Sequence, residues 1–483
     1  MKRRGFIELM PKVIPAIYAG GALFSSCASE KNDQTPDNTP QETSPDESRP
    51  NIVIILADDA GWSDVGFHNQ EIISPNLDRI AKEGVELTHF YVSPVCSPTR
   101  ASLLTGRPPS RFGITGPLQL EHEYAIPPNT VTIAELLLRN GYDTAITGKW
   151  HLGMTPELVP NKYGFRHSYG YLGPWLDSWS HLTTDFKRTG KGVRQWHRNG
   201  KLIDEHGHVT DLVTDEAVRF ITDIRDKANP FFLYVPYSAP HTPIQEEKKW
   251  IDMYDGTIEN TSRKYFAASI THMDYGIGQI LDALETEGVL DNTLVMFFSD
   301  NGGARGGNYP ERWLKPPVEY YMEYGPTDVL GDNEPFHGWK GQHYEGGIRI
   351  PAIIRWKNRL TPGKADAPMI VYDLYPTFAH LADADIPAET VVEGENVWNY
   401  INGEQEDRTP FFYWHTGSQY VIRNGEWKLI HFGKQLGKGR FELYNIAEDP
   451  LEKTDLADKN LEMVEELFKE MKRQAALDRK LGE

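Results

Sequence analysis

Cysteine is nearly absent: Cys27 and Cys96 are the only two in 483 residues. A disulfide framework is therefore excluded. No run of eighteen uncharged apolar residues occurs, which excludes a bundle of membrane-spanning helices. Basic residues are in deficit, 50 against 69 acidic ones, for a formal net charge of −19. Sequence-independent nucleic-acid binding needs the opposite balance, with Lys and Arg facing phosphates. Internal repeats are missing as well. Apolar and aromatic surface, by contrast, is abundant: 39% hydrophobic residues, with 12 Trp, 23 Tyr and 20 Phe. That is ample for a large core and incompatible with a disordered chain. At ~150 residues per domain the length suggests about three domains, less any targeting segment.

The N-terminus reads as such a segment. Lys2-Arg3-Arg4 is a basic start, Val13 to Phe24 a short apolar run, and Ser25-Ser26-Cys27 follows. These are the parts of a secretory signal. A cysteine directly after small residues resembles a bacterial lipobox, in which that thiol takes a lipid. Residues 1–27 are thus expected to be a signal peptide of lipoprotein type, with an ordinary cleaved signal as the alternative. The protein is expected outside the cytoplasm, periplasmic or held at the outer membrane of a bacterium only through this lipid. Residues 28–50 carry six acidic residues, four prolines and no Leu, Ile, Val or aromatic. Such a stretch cannot offset its ordering entropy by burial and reads as a flexible acidic linker.

The body opens abruptly on Asn51-Ile52-Val53-Ile54-Ile55-Leu56-Ala57. Continuous β-branched runs indicate strands covered on both faces, as in a parallel sheet. Phe231 to Val235 and Leu294 to Phe298 read alike. Between them lie helical patterns: Ser74-Pro75 opens one that carries Leu77 and Ile80 and stops at Gly84, and Thr130 to Arg139 repeats the theme. Residues 51–404 are therefore expected to form an α/β domain with a mainly parallel central sheet. Residues 405–483 differ. Pro410 to His415, Tyr420 to Arg423, Trp427 to Phe432 and Phe441 to Asn445 are short strand-like pieces, with Asn424-Gly425 as a hairpin turn. Leu461, Val464, Leu467 and Met471 share one helical face. A small antiparallel sheet with one helix is expected there.

Two of the buried strands end in carboxylates, Asp58-Asp59 and Asp300-Asn301. Ligand sites of open α/β sheets gather outside the carboxyl ends of the strands. Three carboxylates and an amide there would form an all-oxygen negative cluster, whose natural partner is a hard cation such as Ca²⁺ or Mg²⁺. Either pair alone would pass for a strand-end cap. Cys96-Ser97-Pro98-Thr99-Arg100 opens a helical pattern, which puts Cys96 where free N–H groups favour an anion. A lone cysteine is more often a small core residue, but Ser, Pro, Thr and Arg are no core context. No Cys or His cluster has zinc spacing. Trp175, Trp179, His181, Trp196 and His197 lie in a Gly- and Trp-rich stretch that suits either a platform for sugar rings or the domain core.

Cys96-x-Pro98-x-Arg100 followed by Leu104-Thr105-Gly106-Arg107 resembles the signature of the formylglycine-dependent (type I) sulfatases. Further blocks follow in that family's order: Asp58-Asp59-Ala60-Gly61-Trp62, Gly148-Lys149-Trp150-His151-Leu152-Gly153, Ser238-Ala239-Pro240-His241, Asp300-Asn301-Gly302-Gly303, and Gly338-Trp339-Lys340 through Glu345-Gly346-Gly347-Ile348-Arg349-Ile350-Pro351. The resemblance spans Asn51 to about Asp455. Asp64 to His68 and Gly170 to Gly173 are most similar to the arylsulfatase B branch, the N-acetylgalactosamine-4-sulfatases. Between Asn301 and Lys340 lies a longer segment with Tyr309, Trp313, Tyr320, Tyr321 and Tyr324, read as either a substrate-facing loop or a surface insertion.

The resemblance implies an alkaline-phosphatase-like domain and hydrolysis of sulfate esters, on carbohydrate if the branch holds. It implies that a formylglycine-generating maturation enzyme converts Cys96 to an aldehyde. Ca²⁺ would be held by Asp58, Asp59, Asp300 and Asn301, with the modified residue 96 beside it. Arg100 would hold the aldehyde hydrate, Lys149 and Lys340 would contact sulfate oxygens, and His151 and His241 would move protons. His241 would protonate the leaving sugar oxygen and His151 take the hydrate proton. Rival readings are a phosphonate or phosphate ester hydrolase of the same superfamily, and an inactive exported glycan-binding protein. The strong net negative charge repels long polysulfated chains, so short fragments and chain ends are the expected substrates.

Overall fold

A computed structural model describes residues 49–120, 122–184, 192–307 and 325–482. The leader with Cys27, the linker as far as residue 48, and Tyr309, Trp313, Tyr320, Tyr321 and Tyr324 lie outside these residues. Among the described residues no helix is long and apolar enough to cross a membrane.

Ten strands make the main sheet: β1 (Asn51–Ala57), β2 (Val85–Leu87), β3 (Asp143–Lys149), β4 (His167–Tyr171), β5 (Trp196–Arg198), β6 (Lys201–Leu202), β7 (Phe231–Pro236), β8 (Thr293–Ser299), β9 (Ala352–Arg355) and β10 (Gly363–Ala365). Their spatial order is β10-β2-β9-β8-β1-β7-β3-β4-β5-β6. The five central strands, β8 through β4, are mutually parallel, and antiparallel strands flank them on both sides. All seven residues of β1 are buried. Ile52, Ile54 and Leu56 face one apolar layer, while Val53, Ile55 and Ala57 face the other, the two-residue alternation of a strand covered on both sides. Each such side chain contributes about 1.5–3 kcal/mol, so Ile54→Ala would cost about 2–5 kcal/mol.

The helices that bear on the site are α1 (Cys96–Thr105), α2 (Val209–Arg219) and α3 (Thr261–Thr286). The expected helix after Ser74-Pro75 spans Pro75–Glu83 and ends at Gly84; Ser74 makes no side-chain cap, because its hydroxyl instead accepts from the Gly66 N–H at 2.7 Å.

The C-terminal region holds β11 (Phe411–Thr416), β12 (Gln419–Asn424), β13 (Trp427–Gln435) and β14 (Lys438–Asn445), an antiparallel meander, followed by α4 (Leu461–Ala475). One face, with Tyr413, Ile422, Leu429 and Leu443, packs on Leu467 and Met471 of α4. The other, with Phe412, Trp414, Val421 and Ile430, joins the core of the main sheet. Leu461 departs from expectation: at the first position of α4 it is 64% exposed and stays outside the cluster that Leu467 and Met471 join.

Candidate active site

Strands β1 and β8 pair in parallel register up to Ala57 opposite Ser299. The residues that follow, Asp58-Asp59 and Asp300-Asn301, are therefore side by side. The Asp300 N–H donates to the Ala57 carbonyl (3.0 Å) and the Asp58 N–H to the Ala239 carbonyl (2.9 Å). Strand β3 delivers Lys149 to the same edge. Gly148 before it has φ 131°, and a Cβ there would meet the Pro236 carbonyl oxygen at 2.1 Å, so only glycine lets β3 end beside β7. Cys96 is the first residue of α1, and Arg100 stands one turn on, over the same face.

These side chains interlock. Arg100 donates to Asp300 Oδ2 from Nε (3.1 Å) and Nη2 (2.7 Å), and to the Lys149 carbonyl (2.8 Å). Lys149 Nζ meets Asp58 Oδ2 at 2.5 Å, and Lys340 Nζ meets Asp59 Oδ1 at 2.6 Å. Asn301 Nδ2 donates to Asp59 Oδ1 (2.8 Å). Cys96 is buried, and its sulfur lies with carboxylate oxygens of Asp58 and Asp300 in one group of atoms within 4.8 Å. Three carboxylates thus face three cationic side chains, and a divalent cation with a singly charged sulfate ester would leave the set only one positive charge from neutral. Two oxygens, Asp58 Oδ1 and Asn301 Oδ1, are buried with no hydrogen-bond partner. Unsatisfied lone pairs are costly in such a place, and they suit a hard cation.

Burial alone would raise Asp58, but the Lys149 ammonium, with His241 and Arg100, holds it far below the usual carboxylate range. Asp300 is pushed up to about 7 by burial and then by the Asp58 charge. Burial raises the Cys96 thiol, so an unmodified Cys96 is a poor nucleophile here.

The two histidines differ. His151 Nε2 lies 2.8 Å from the Leu118 carbonyl. A carbonyl only accepts, so Nε2 carries the hydrogen and Nδ1, buried and unpartnered, presents a lone pair. Burial, then Lys149 and Arg100, keep this ring neutral. His241 Nδ1 donates to the Thr242 carbonyl, which leaves Nε2 facing Asp59 Oδ2 at 3.8 Å. Burial and the Lys340 charge lower His241 to about 4; an anionic ligand would act in the opposite direction. Asp59 (φ 75°) and His151 (φ 56°) both sit in the left-handed region, strain of the kind stored at functional sites.

All ten residues expected at the site are thus brought together, from six separate segments. The structure adds Tyr171, which the sequence reading met only within the Gly170 to Gly173 block and gave no role, and Tyr234, which it missed. Both are buried against the cluster, and burial with the Asp58 charge raises both hydroxyls; Tyr234 lies in the apolar strand β7, where a tyrosine gives no sequence signal of this. A second group, His208, Asp211 and His272, converges from two helices, although no local spacing announces it. The aromatic stretch resolves toward the core. Trp196, His181 and His197 are buried, with His181 stacked on Trp196 at 4.5 Å, while Trp175 and Trp179 are half-buried.

Residues 50–384 match the family described as Sulfatase, and residues 336–480 that described as N-sulphoglucosamine sulphohydrolase, C-terminal. The chain belongs to the sulfatase family. An uncharacterized sulfatase of Schizosaccharomyces pombe is 30% identical over 87% of this chain and 92% of its own. The N-acetylgalactosamine-6-sulfatase of Mus musculus is 32% identical over 78% and 71%. The crystal structure of Ps i-CgsB in complex with k-i-k-neocarrahexaose is 31% identical, covers 90% of this chain and 94% of that one, and superposes with a TM-score of 0.77. The sulfatase is accordingly a sulfuric ester hydrolase with an alkaline-phosphatase-like fold. These relatives do not single out the arylsulfatase B branch suggested by the short blocks.

Proposed function

We propose that the sulfatase removes sulfate from sulfated carbohydrate, with Cys96 converted to formylglycine and with Ca²⁺ or Mg²⁺ held by Asp58, Asp59, Asp300 and Asn301. The observation that carries this reading is the pair of unpartnered buried oxygens, Asp58 Oδ1 and Asn301 Oδ1, beside Cys96. The formyl group, as its hydrate, supplies an oxygen nucleophile for sulfur and a route to expel sulfate, and the cation supplies Lewis-acid stabilisation of the sulfuryl oxygens. Lys149 and Lys340 bind sulfate oxygens and stabilise their charge as it shifts. Arg100 holds the residue-96 oxygens and Asp300 in one geometry. His151 takes a proton at Nδ1, and His241, taking up a second proton at Nε2 once the bound sulfate anion raises its pKa, gives that proton to the departing alcohol.

The carbohydrate class is supported by the neighbours: one is named for N-acetylgalactosamine 6-sulfate hydrolysis and one is complexed with a neocarrahexaose. The charge balance favours short, end-positioned fragments over intact polymer, and the leader favours export, with Cys27 as a lipid-bearing N-terminus after cleavage. The test is sulfate release by the matured enzyme from a panel of defined sulfated mono- and oligosaccharides. Release from at least one sugar, absent in Cys96→Ala, is expected. Release from none, or release undiminished in Cys96→Ala, would overturn the reading.

A further inference from the structure

The loop that carries His241 is tied at both ends. Near its start the Ala239 carbonyl accepts from the Asp58 N–H. At its far end Gln245 is gripped three times: its amide donates to Asp177 Oδ2 (3.0 Å), its side-chain oxygen accepts from the Ser178 N–H (2.7 Å), and its carbonyl accepts from His208 Nε2 (2.8 Å). The next residue, the buried Glu246, meets His272 Nδ1 at 2.8 Å, and His272 Nε2 meets Asp211 Oδ1 at 3.0 Å. An ionised carboxylate only accepts, so both nitrogens of His272 carry hydrogen and the ring is an imidazolium. Trp250 stacks on it at 4.7 Å.

The same bonding rules out a metal at His208, Asp211 and His272. The imidazolium has no lone pair to offer, and His208 is committed through Nε2 to Gln245 and through Nδ1 to the Thr210 N–H (3.2 Å). The cluster also adjoins the catalytic loop directly. A cavity of about 10 Å³, lined by Ser178, His208, Ser238, His241, Glu246 and Ser269 among others, has room for about one water.

We propose that His272 is a positioning residue for His241: its charge, clamped between Glu246 and Asp211, fixes the 238–246 loop so that the His241 ring meets the oxygen of the departing alcohol. The inference rests on His241 as proton donor to that oxygen. A donor matters in proportion to the basicity of the leaving group, whereas general loosening of the fold does not discriminate between leaving groups.

The experiment compares phenyl sulfate with 4-nitrophenyl sulfate, whose phenolate leaves unaided, in the matured wild-type enzyme and in His241→Ala and His272→Gln. His272→Gln is expected to lower kcat on phenyl sulfate about 10–100-fold and on the nitrophenyl ester less than about threefold, with KM nearly unchanged; His241→Ala should show the same pattern, larger. Selective loss in His241→Ala with none, or with equal losses, in His272→Gln overturns the positioning role and leaves the donor in place. Equal losses on both esters in His241→Ala overturn the donor reading itself. Should His272→Gln fail to fold, Asp211→Asn removes the half-exposed side of the clamp, and a severalfold loss confined to phenyl sulfate is the expected result; equal losses on the two esters, or none, overturn the proposal.

Discussion

Two of the buried ionic clusters among the described residues make an instructive pair, because only one of them is the candidate active site. At the carboxyl edge of the sheet, Asp58, Asp59 and Asp300 face Arg100, Lys149 and Lys340. At the seam with the C-terminal meander, Glu345 takes Lys428 Nζ (2.9 Å) and the Tyr91 hydroxyl (2.6 Å), Lys428 also meets Glu452 (2.8 Å), and Arg423 donates to Tyr91 (2.5 Å). The seam is as deeply buried and as rich in charge. There, however, both carboxylate oxygens of Glu345 and Oε2 of Glu452 are hydrogen-bonded, and Glu452 Oε1, though it accepts no hydrogen bond, has the Lys428 ammonium against it. The edge cluster leaves Asp58 Oδ1 and Asn301 Oδ1 unmatched and sets a helix start among them. Buried charge is therefore no mark of a site by itself. Unmatched lone pairs beside a reactive residue are. Glu345 and Lys340 belong to one sequence block, yet the first lies in the seam and the second reaches Asp59 at the sheet edge.

The sharpest way to break the comparison is to exchange the two kinds of loss. Lys149→Ala should lower kcat by about 10²–10³-fold, read as sulfate release per folded molecule. Lys428→Met should do the reverse. It strands Glu345 and Glu452 and should cost about 3–5 kcal/mol of stability in denaturant unfolding, while the molecules that remain folded keep their kcat. A large kcat loss in Lys428→Met would erase the distinction.

Cation removal should act on the edge alone. Exhaustive chelation should abolish turnover and, if free cation otherwise stands ~100-fold above Kd, remove about 2–3 kcal/mol of stability. In Asp300→Asn calorimetry should find that thermal shift gone. An unchanged melting curve for the wild type under chelation, with no metal by elemental analysis, would count against the cation.

The smallest effect expected is a pH dependence at His272. Despite burial, Glu246 and Asp211 raise its pKa from 6.5 to about 9. Because the folded state binds the proton more tightly, the stabilisation is full below pH 6.5 and is lost as pH rises through about 9. The gap between wild type and His272→Gln, about 1–3 kcal/mol at neutral pH, should close on the alkaline side. A gap that stays constant would mean that the ring acts by shape and not by charge.

Much of this was legible in the sequence, for identifiable reasons. β1, β7 and β8 declared themselves because strands covered on both faces are written as unbroken apolar runs, and the residues that follow them are necessarily at the edge where ligands gather. The cluster at the sheet edge was legible because its ten residues fall into six short sequence blocks. The His208–Asp211–His272–Glu246 clamp was not, since it forms only when two helices and a loop meet. Trp196, His181 and His197 could be assigned only by burial: an aromatic beside glycines looks the same whether it lines a cleft or fills a core. Leu461 kept the right helical spacing, but at the first position of α4 it stays outside the packed cluster.

The central claim is that residue 96 works as a formylglycine inside the oxygen cluster. Mass spectrometry of the peptide spanning Ser97 and its neighbours, taken from protein with measured sulfatase activity, tests it most directly. The account predicts an aldehyde in place of the Cys96 thiol, in a fraction that scales with specific activity across preparations. Full activity in a preparation whose Cys96 is entirely free thiol would contradict it.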